Sequence, residues 1–256
     1  MTSTPDVSSI EFAERFGATA QVCEVTSTTR LSSSVLEVIA AGDVALAGTP
    51  GNDVMIRIKN ANGKFVRRRY SVRDANPALG QFSLWVTTNH EGPGSLWAQH
   101  AQPGDQFDAV GPRGKHVLDT GAEWHLFIGD TSGLASFYRL AESIEAPGRA
   151  IFIVEIEHPD DALTATFQEG VGVTGIFVDR QGRTKDDSRG ILHGLAAFAL
   201  PPGRGHAYLF GEFHVIKTAK TALFDRGMDD EQISFKAYWR SGRQNADHGE
   251  PEKSED

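Results

Sequence analysis

The sequence predicts a two-domain fold, a six-stranded antiparallel β-barrel followed by a parallel-sheet α/β domain. Two observations carry this. In the first half, apolar residues alternate with polar ones between Gly, Pro and Asn turns. From Trp124 onward the pattern changes to short continuous apolar runs separated by helical stretches, as in parallel strands buried on both faces.

The barrel strands are read in order at Ala20 to Thr26, Val35 to Ala40, Val54 to Ile58, Arg68 to Arg73, Phe82 to Val86 and Gln106 to Val110. Val54, Ile56 and Ile58 share one face with Arg57 and Lys59 on the other; Phe82, Leu84 and Val86 repeat this, with Ser83 and Thr87 outward. An amphipathic segment over Ser9 to Phe16 precedes the barrel, and a helix over Ser95 to His100 interrupts it. The parallel strands are read at 125–129, 151–155, 175–178, 207–210 and 233–237, with helices at Ser132 to Ile144, Asp161 to Phe167, Arg189 to Phe198 and Val215 to Arg226. The expected boundaries are 18–121 for the barrel, with Gly121 as linker point, 122–243 for the α/β domain, and a disordered acidic tail over 244–256.

Composition narrows the function classes. A net charge of -9 argues against nucleic acid as partner, because neutralising phosphates needs a basic face. The single cysteine, Cys23, permits no internal disulfide and no iron–sulfur cluster, which takes four ligands. No apolar stretch reaches membrane-spanning length and the N-terminus lacks the features of a signal peptide, so a cytoplasmic, monomeric protein is the expectation. The nine histidines show no metal-ligand spacing and no G-x-S-x-G elbow occurs, so neither a metal site nor a common hydrolase is expected.

The segment Arg68-Arg69-Tyr70-Ser71-Val72-Arg73 offers what a flavin needs: an aromatic face, a hydroxyl near the atom that receives hydride, and fixed cations for a diphosphate. Alternation puts Arg68, Tyr70 and Val72 on one face and Ser71 and Arg73 on the other unless the strand bends. The same segment reads equally as a basic strand edge that resists aggregation. Some twenty residues on, Asn89 to Ala98 contains a Gly92-Pro93-Gly94 turn with Ser95 as the expected N-cap of a helix, where free amides bind phosphate. Read alone, this is a hairpin-to-helix connection.

Together with Gln102-Pro-Gly-Asp105, Gly111-Pro-Arg-Gly114 and the ending Tyr238-Trp239-Arg240-Ser-Gly242-Arg243, these residues resemble the siderophore-interacting protein family, FAD-containing ferric-siderophore reductases of the ferredoxin-reductase superfamily. The resemblance runs from about Ala18 to Arg243. It implies a ferredoxin-reductase-like fold, a barrel that holds FAD through Arg68, Tyr70, Ser71 and Arg73, and a phosphate side lined by Gly94, Ser95 and Trp97 with His90 as a flavin neighbour. Tyr70 and Ser71 are the residues placed at the reacting ring, and Trp239 is a candidate to cover it or to pack the last strand.

In the second domain the family's usual D-E-T-A-L-P run is replaced by Asp130-Thr131-Ser132-Gly133-Leu134-Ala135. The strand-to-helix turn persists, so Asp130, Thr131 and Ser132 are candidate nicotinamide-nucleotide contacts. The resemblance makes Glu212, after the fourth strand, a candidate for the nicotinamide or flavin edge; equally it reads as an acid at a helix N-terminus. Glu155 and Glu157 favour NADH over NADPH, because an acid repels a 2′-phosphate. The implied reaction takes hydride from NADH or NADPH onto FAD and passes electrons singly to the Fe(III) of a siderophore, whose oxygen ligands hold the softer Fe(II) more weakly. An anionic chelate needs a local basic cluster, for which Lys236, Arg240, Lys64 and Lys217 are candidates. Two other readings stand beside this one: a general flavin reductase or redox partner for a ferredoxin or oxygenase, and a siderophore-binding module without flavin.

Overall fold

The computed structural model describes residues 4–242, so Arg243 and the tail over 244–256 lie outside the described residues. The chain divides into two compact units: Met1–Leu118 with Leu134–Ser143 and Leu163–Thr166, and Asp119–Gly133 with Ile144–Ala162 and the chain from Phe167 onward.

The first unit is a closed barrel of β1 (Thr19–Arg30), β2 (Val35–Ala41), β3 (Asp53–Lys59), β4 (Phe65–Asn76), β5 (Gln81–Thr87) and β6 (Gln106–Arg113), in the order β1-β2-β5-β4-β3-β6. Every pairing is antiparallel. The alternation in the sequence does the expected work, since Val54, Ile56, Ile58, Val72, Phe82, Leu84 and Val86 fill the interior. Met55 points the other way yet is only 2% exposed, because α1 (Val7–Phe16) covers it through Ala13 beside Val110. That helix starts where the Asp6 carboxylate accepts from the Ser8 amide at 3.0 Å and stops at Gly17, whose φ of 62° is left-handed.

The helix in the barrel, α2 (Pro93–His100), starts two residues earlier than the sequence predicts. Gly92 is the N-cap and Pro93 takes the first helical position, where its missing N–H costs nothing. Ser95 therefore does not cap the helix; it is buried in the first turn, and its hydroxyl donates to the Thr87 carbonyl at 2.5 Å. The helix α3 (Leu134–Ala141) belongs to this unit. It is buried along its whole length, and its Arg139 guanidinium donates to the carbonyls of Ala47, Gly48 and Val72 at 3.0 to 3.2 Å.

The second unit is a five-stranded parallel sheet of β7 (Trp124–Asp130), β8 (Arg149–Ile156), β9 (Gly172–Asp179), β10 (Gly205–Glu212) and β11 (Ile233–Trp239), ordered β11-β10-β7-β8-β9. Leu126, Ile128, Ile151, Ile153 and Leu209 pack with Ile191 and Leu195 of α4 (Arg189–Ala196) and with Ile216, Ala219 and Leu223 of α5 (Phe213–Phe224). On neighbouring strand positions Phe152, Phe127 and Tyr208 stack in a row at 5.0 Å between centroids. The helix expected over Asp161 to Phe167 is absent. Only a 3-10 turn, Pro159–Asp161, forms, and residues 162–169 are irregular. Seven residues carrying two β-branched threonines cannot nucleate a helix without a packed face.

One buried base gives this unit a pH signature. His125 on β7 is 2% exposed and stacks on Tyr208 with centroids 6.1 Å apart, and burial, then the neighbouring His206, pushes its pKa down to about 4. The unfolded chain therefore binds a proton that the folded chain refuses between about pH 6.5 and 4, so stability falls as pH drops through that window. His206 shifts in the same direction through burial. Asp119, held low by Arg204, loses its contribution only below the ordinary carboxylate range. A His125→Phe variant is expected to show a shallower decline of melting temperature between pH 6.5 and 4 than the parent, measured by thermal denaturation across that range.

Candidate functional site

In the barrel unit the structure brings Arg68, Tyr70 and Gly94 together. Arg68 and Tyr70 lie two apart on β4, opposite Ile56 and Val54 of β3. A Cβ on Gly94 would sit 1.8 Å from the Tyr70 hydroxyl oxygen and 3.7 Å from Arg68 Cγ, so only glycine lets α2 come this close to β4. The Trp97 ring lies 6.4 Å from that of Tyr70 and packs edge-on against Phe107 at 5.3 Å. Burial drives the Tyr70 hydroxyl far above its ordinary pKa, with Arg68 pulling the other way, so the phenol keeps its proton and can donate. Gly92 brings no side-chain cap to α2, and the first-turn amides of Gly94 and Ser95 have no carbonyl one turn back. A cation, two uncapped amides and an aromatic ring in one cluster fit a diphosphate-linked planar ring system such as FAD.

The remaining barrel candidates lie elsewhere. Ser71 is buried on the opposite side of β4, opposite Asp53. Arg73 is the extra residue of a bulge, since the β4–β5 register shifts between Val72 and Asp74. Both its terminal nitrogens donate to Glu142, at 2.8 and 2.6 Å, and its guanidinium lies 5.1 Å from the Trp85 ring. His90 is half-buried in the connection between β5 and α2. Lys64 is exposed in the turn between β3 and β4.

In the second unit, Asp130, Ser132, Glu212 and Trp239 form one network at the carboxyl edge of the sheet. Asp130 Oδ1 accepts from the Ser132 amide (2.8 Å) and hydroxyl (2.5 Å), and Oδ2 accepts from the Glu212 amide (2.8 Å) and Trp239 Nε1 (3.0 Å). Gly211, with φ of 148°, clears the way: a Cβ there would be 2.6 Å from Asp130 Oδ2. Glu212 is the N-cap of α5, its Oε2 accepting from the amides of His214 and Val215 at 2.5 and 2.9 Å and its Oε1 from Ser241 at 3.0 Å. The helix-terminus reading of Glu212 thus has a geometric basis. Thr131 turns toward β8, its hydroxyl donating to the Glu155 carbonyl at 3.4 Å.

Two of the four basic candidates, Arg240 and Lys217, meet at Phe213 on the α5 side of the sheet, whereas Lys236 lies beside Tyr238 on the other face of β11. Arg240 and Lys217 lie 4.8 and 5.9 Å from the Phe213 ring, Arg240 Nε donates to His214 Nε2 at 3.3 Å, and Lys236 lies 5.2 Å from the Tyr238 ring on the same strand end. Sequence reasoning missed Arg180 and Arg183, which pair with Glu155 at 3.1 and 3.3 Å. The signal was available: two arginines just past the third parallel strand reach the same sheet edge as the acids that end the second.

A closed antiparallel barrel followed by a parallel sheet of this order is the ferredoxin-reductase-like fold that the sequence predicts. Within that class the chain belongs to the siderophore-interacting protein family: residues 35–116 match its siderophore-interacting FAD-binding domain and residues 122–242 its siderophore-interacting protein domain. An uncharacterised protein of Mycobacterium tuberculosis is 29% identical over 189 residues, which span 69% of this chain and 65% of the relative's length. The ferric vibriobactin reductase of Vibrio cholerae is 25% identical over 186 residues, 70% of this chain and 66% of that protein. The crystal structure of a siderophore utilization protein from T. fusca superposes with a TM-score of 0.79 at 23% identity, covering 90% of this chain and 96% of that one. Among the described residues no helix is long and apolar enough to cross a membrane.

Replacing Asp130 by alanine leaves the buried Glu212 amide and the Trp239 indole N–H without their acceptor. The expected loss is about 2–4 kcal/mol of stability. Urea unfolding of Asp130→Ala, Trp239→Phe and the double variant checks it, with the double variant losing less than the sum of the two single losses.

Proposed function

We propose that this chain is an FAD-dependent, NAD(P)H-driven oxidoreductase that reduces ferric siderophores and thereby releases iron as Fe(II). The observation that carries the reading is the cluster of Arg68, Tyr70 and the uncapped start of α2 at Gly94, in a chain of the siderophore-interacting family. The similarity to the ferric vibriobactin reductase supports the choice of acceptor.

In this reading residues 18–121 bind FAD and residues 122–243 bind the nicotinamide nucleotide. When bound, FAD supplies the change from two-electron to one-electron chemistry that a hydride donor and a ferric acceptor require. The chain's own residues do the placing. Arg68 and the amides of Gly94 and Ser95 hold the diphosphate, Tyr70 gives the ring a face, and Trp97 backs Tyr70 against the barrel core. Ser71 is assigned to the flavin through the family motif, and Arg73 acts by fixing the bulge that ends it. Trp239 keeps the last strand seated on Asp130. Lys236, Arg240 and Lys217 attract the anionic chelate, and Lys64 adds positive charge on the barrel unit. No side chain has to act as acid, base or nucleophile, so geometry and charge supply the catalysis. The reaction is assigned to the cytoplasm, where NAD(P)H is available.

Two measurements test this. Arg68→Ala and Tyr70→Ala are each expected to weaken FAD retention by roughly tenfold or more, and Gly94→Ala to do the same by displacing the Tyr70 ring; flavin absorbance after gel filtration reports it, and full retention in the Arg68→Ala/Tyr70→Ala double variant would overturn the site. Steady-state reduction of ferric catecholates and hydroxamates is expected to exceed that of ferredoxin or free flavin, and comparable rates on all acceptors would instead support a general flavin reductase.

A further inference from the structure

Every residue of α3 is buried, and Arg139 is the one charged side chain among them. It is 8% exposed. Its Nη1 donates to the carbonyls of Ala47 and Val72 at 3.1 and 3.2 Å, and its Nη2 to that of Gly48 at 3.0 Å. Ala47 and Gly48 close the 3-10 turn Val44–Ala47, whose last carbonyls find no donor within the turn itself. Val72 stands where β4 leaves β3 for β5: Ser71 is paired with Asp53, Val72 with Leu84, and the bulge follows. A bulge interrupts the ladder, and here a side chain supplies the donor.

Three carbonyls need donors, and neutral donors would serve. A buried charge adds a desolvation cost that neutral donors avoid, unless an anion is paired with it. Among the described residues no carboxylate forms an ion pair with Arg139; Asp74 and Glu142 act on it only through their fields. Glu142 is already held by both terminal nitrogens of Arg73, at 2.8 and 2.6 Å, so that pair cancels. Asp74 is exposed, where water and salt screen it. Burial pulls the Arg139 pKa down, with Asp74 working against it, yet a guanidinium keeps its proton at neutral pH. A weakly screened cation is thus bonded to the residue that follows Ser71, which the family motif assigns to the flavin.

We infer that Arg139 sets the redox potential of the site: its charge, held by carbonyls at the end of the flavin motif, raises the reduction potential of bound FAD. This rests on the flavin reading above and adds to it a source of driving force. Reduction adds negative charge to the flavin ring, and a fixed cation in a low-dielectric surrounding favours the form that carries it. The cofactor in its reduced form then supplies the counter-charge that no carboxylate of the barrel unit provides.

Anaerobic redox titration of the full FAD-loaded chain, with flavin absorbance read against a dye of known potential, tests this without siderophore or nicotinamide. Arg139→Gln is expected to lower the equilibrium constant for two-electron reduction roughly tenfold, about 30 mV in potential. Arg139→Lys keeps the charge and should stay much nearer the parent. An unchanged potential in Arg139→Gln overturns the electrostatic role, and an equal fall in both variants leaves Arg139 a structural one only. Should either variant fail to fold, Asp74→Asn at an exposed position decides: unmasking Arg139 raises the potential at low salt, and an unshifted value sinks the inference. A parent chain that binds no FAD removes the flavin reading and this one together, whereas a parent that holds FAD, with variants of unmoved potential, removes this one alone.

Discussion

One carboxylate organises the working edge of the parallel sheet. Asp130 ends the central strand, and its two oxygens hold the turn that follows, the end of β10 and the indole of β11. A buried anion is tolerated only when donors surround it, and four donors do so here. Bare backbone at Gly211 is the steric condition for that arrangement. With Asp130 and Glu212 both committed to donors of the chain itself, the edge presents little open acceptor capacity.

The barrel shows the complementary logic. Its interior is filled by one alternating set of side chains, and midway along β4 Arg68 and Tyr70 meet α2 at Gly94, with Tyr70 packed against that core. The bulge at Arg73 breaks the alternation, and the bidentate pair with Glu142 gives the displaced guanidinium a fixed seat. Of the four motif residues within Arg68 to Arg73, Arg68 and Tyr70 converge with the start of α2, Ser71 lies on the opposite side of the strand and Arg73 sits in the bulge.

Most of the architecture was legible in the sequence because it rests on periodicity, which is local. Val54, Ile56 and Ile58 announce a half-buried strand, and the apolar runs after Trp124 announce buried parallel ones. What was not legible depended on partners distant in the chain. The stretch from Asp161 to Phe167 has helical composition but no face to pack. Ser95 has a cap residue's chemistry, yet Pro93 sets the helix start two positions earlier. The same holds for the site: motif spacing pointed to Arg68, Tyr70 and Gly94, whereas the charge at Glu155 could not be judged until Arg180 and Arg183 were seen beside it.

The cover that α1 places over Met55 ties two parts of the chain that are remote in sequence. A strand that turns Met55 outward between the inward Val54 and Ile56 makes sense only while something outside shields it. In relatives that lack the leading helix, the residue at this point of the third barrel strand should be hydrophilic, and where the helix persists it should stay greasy. The pair would then vary as a unit through the family's divergence, although neither residue comes near the chemistry.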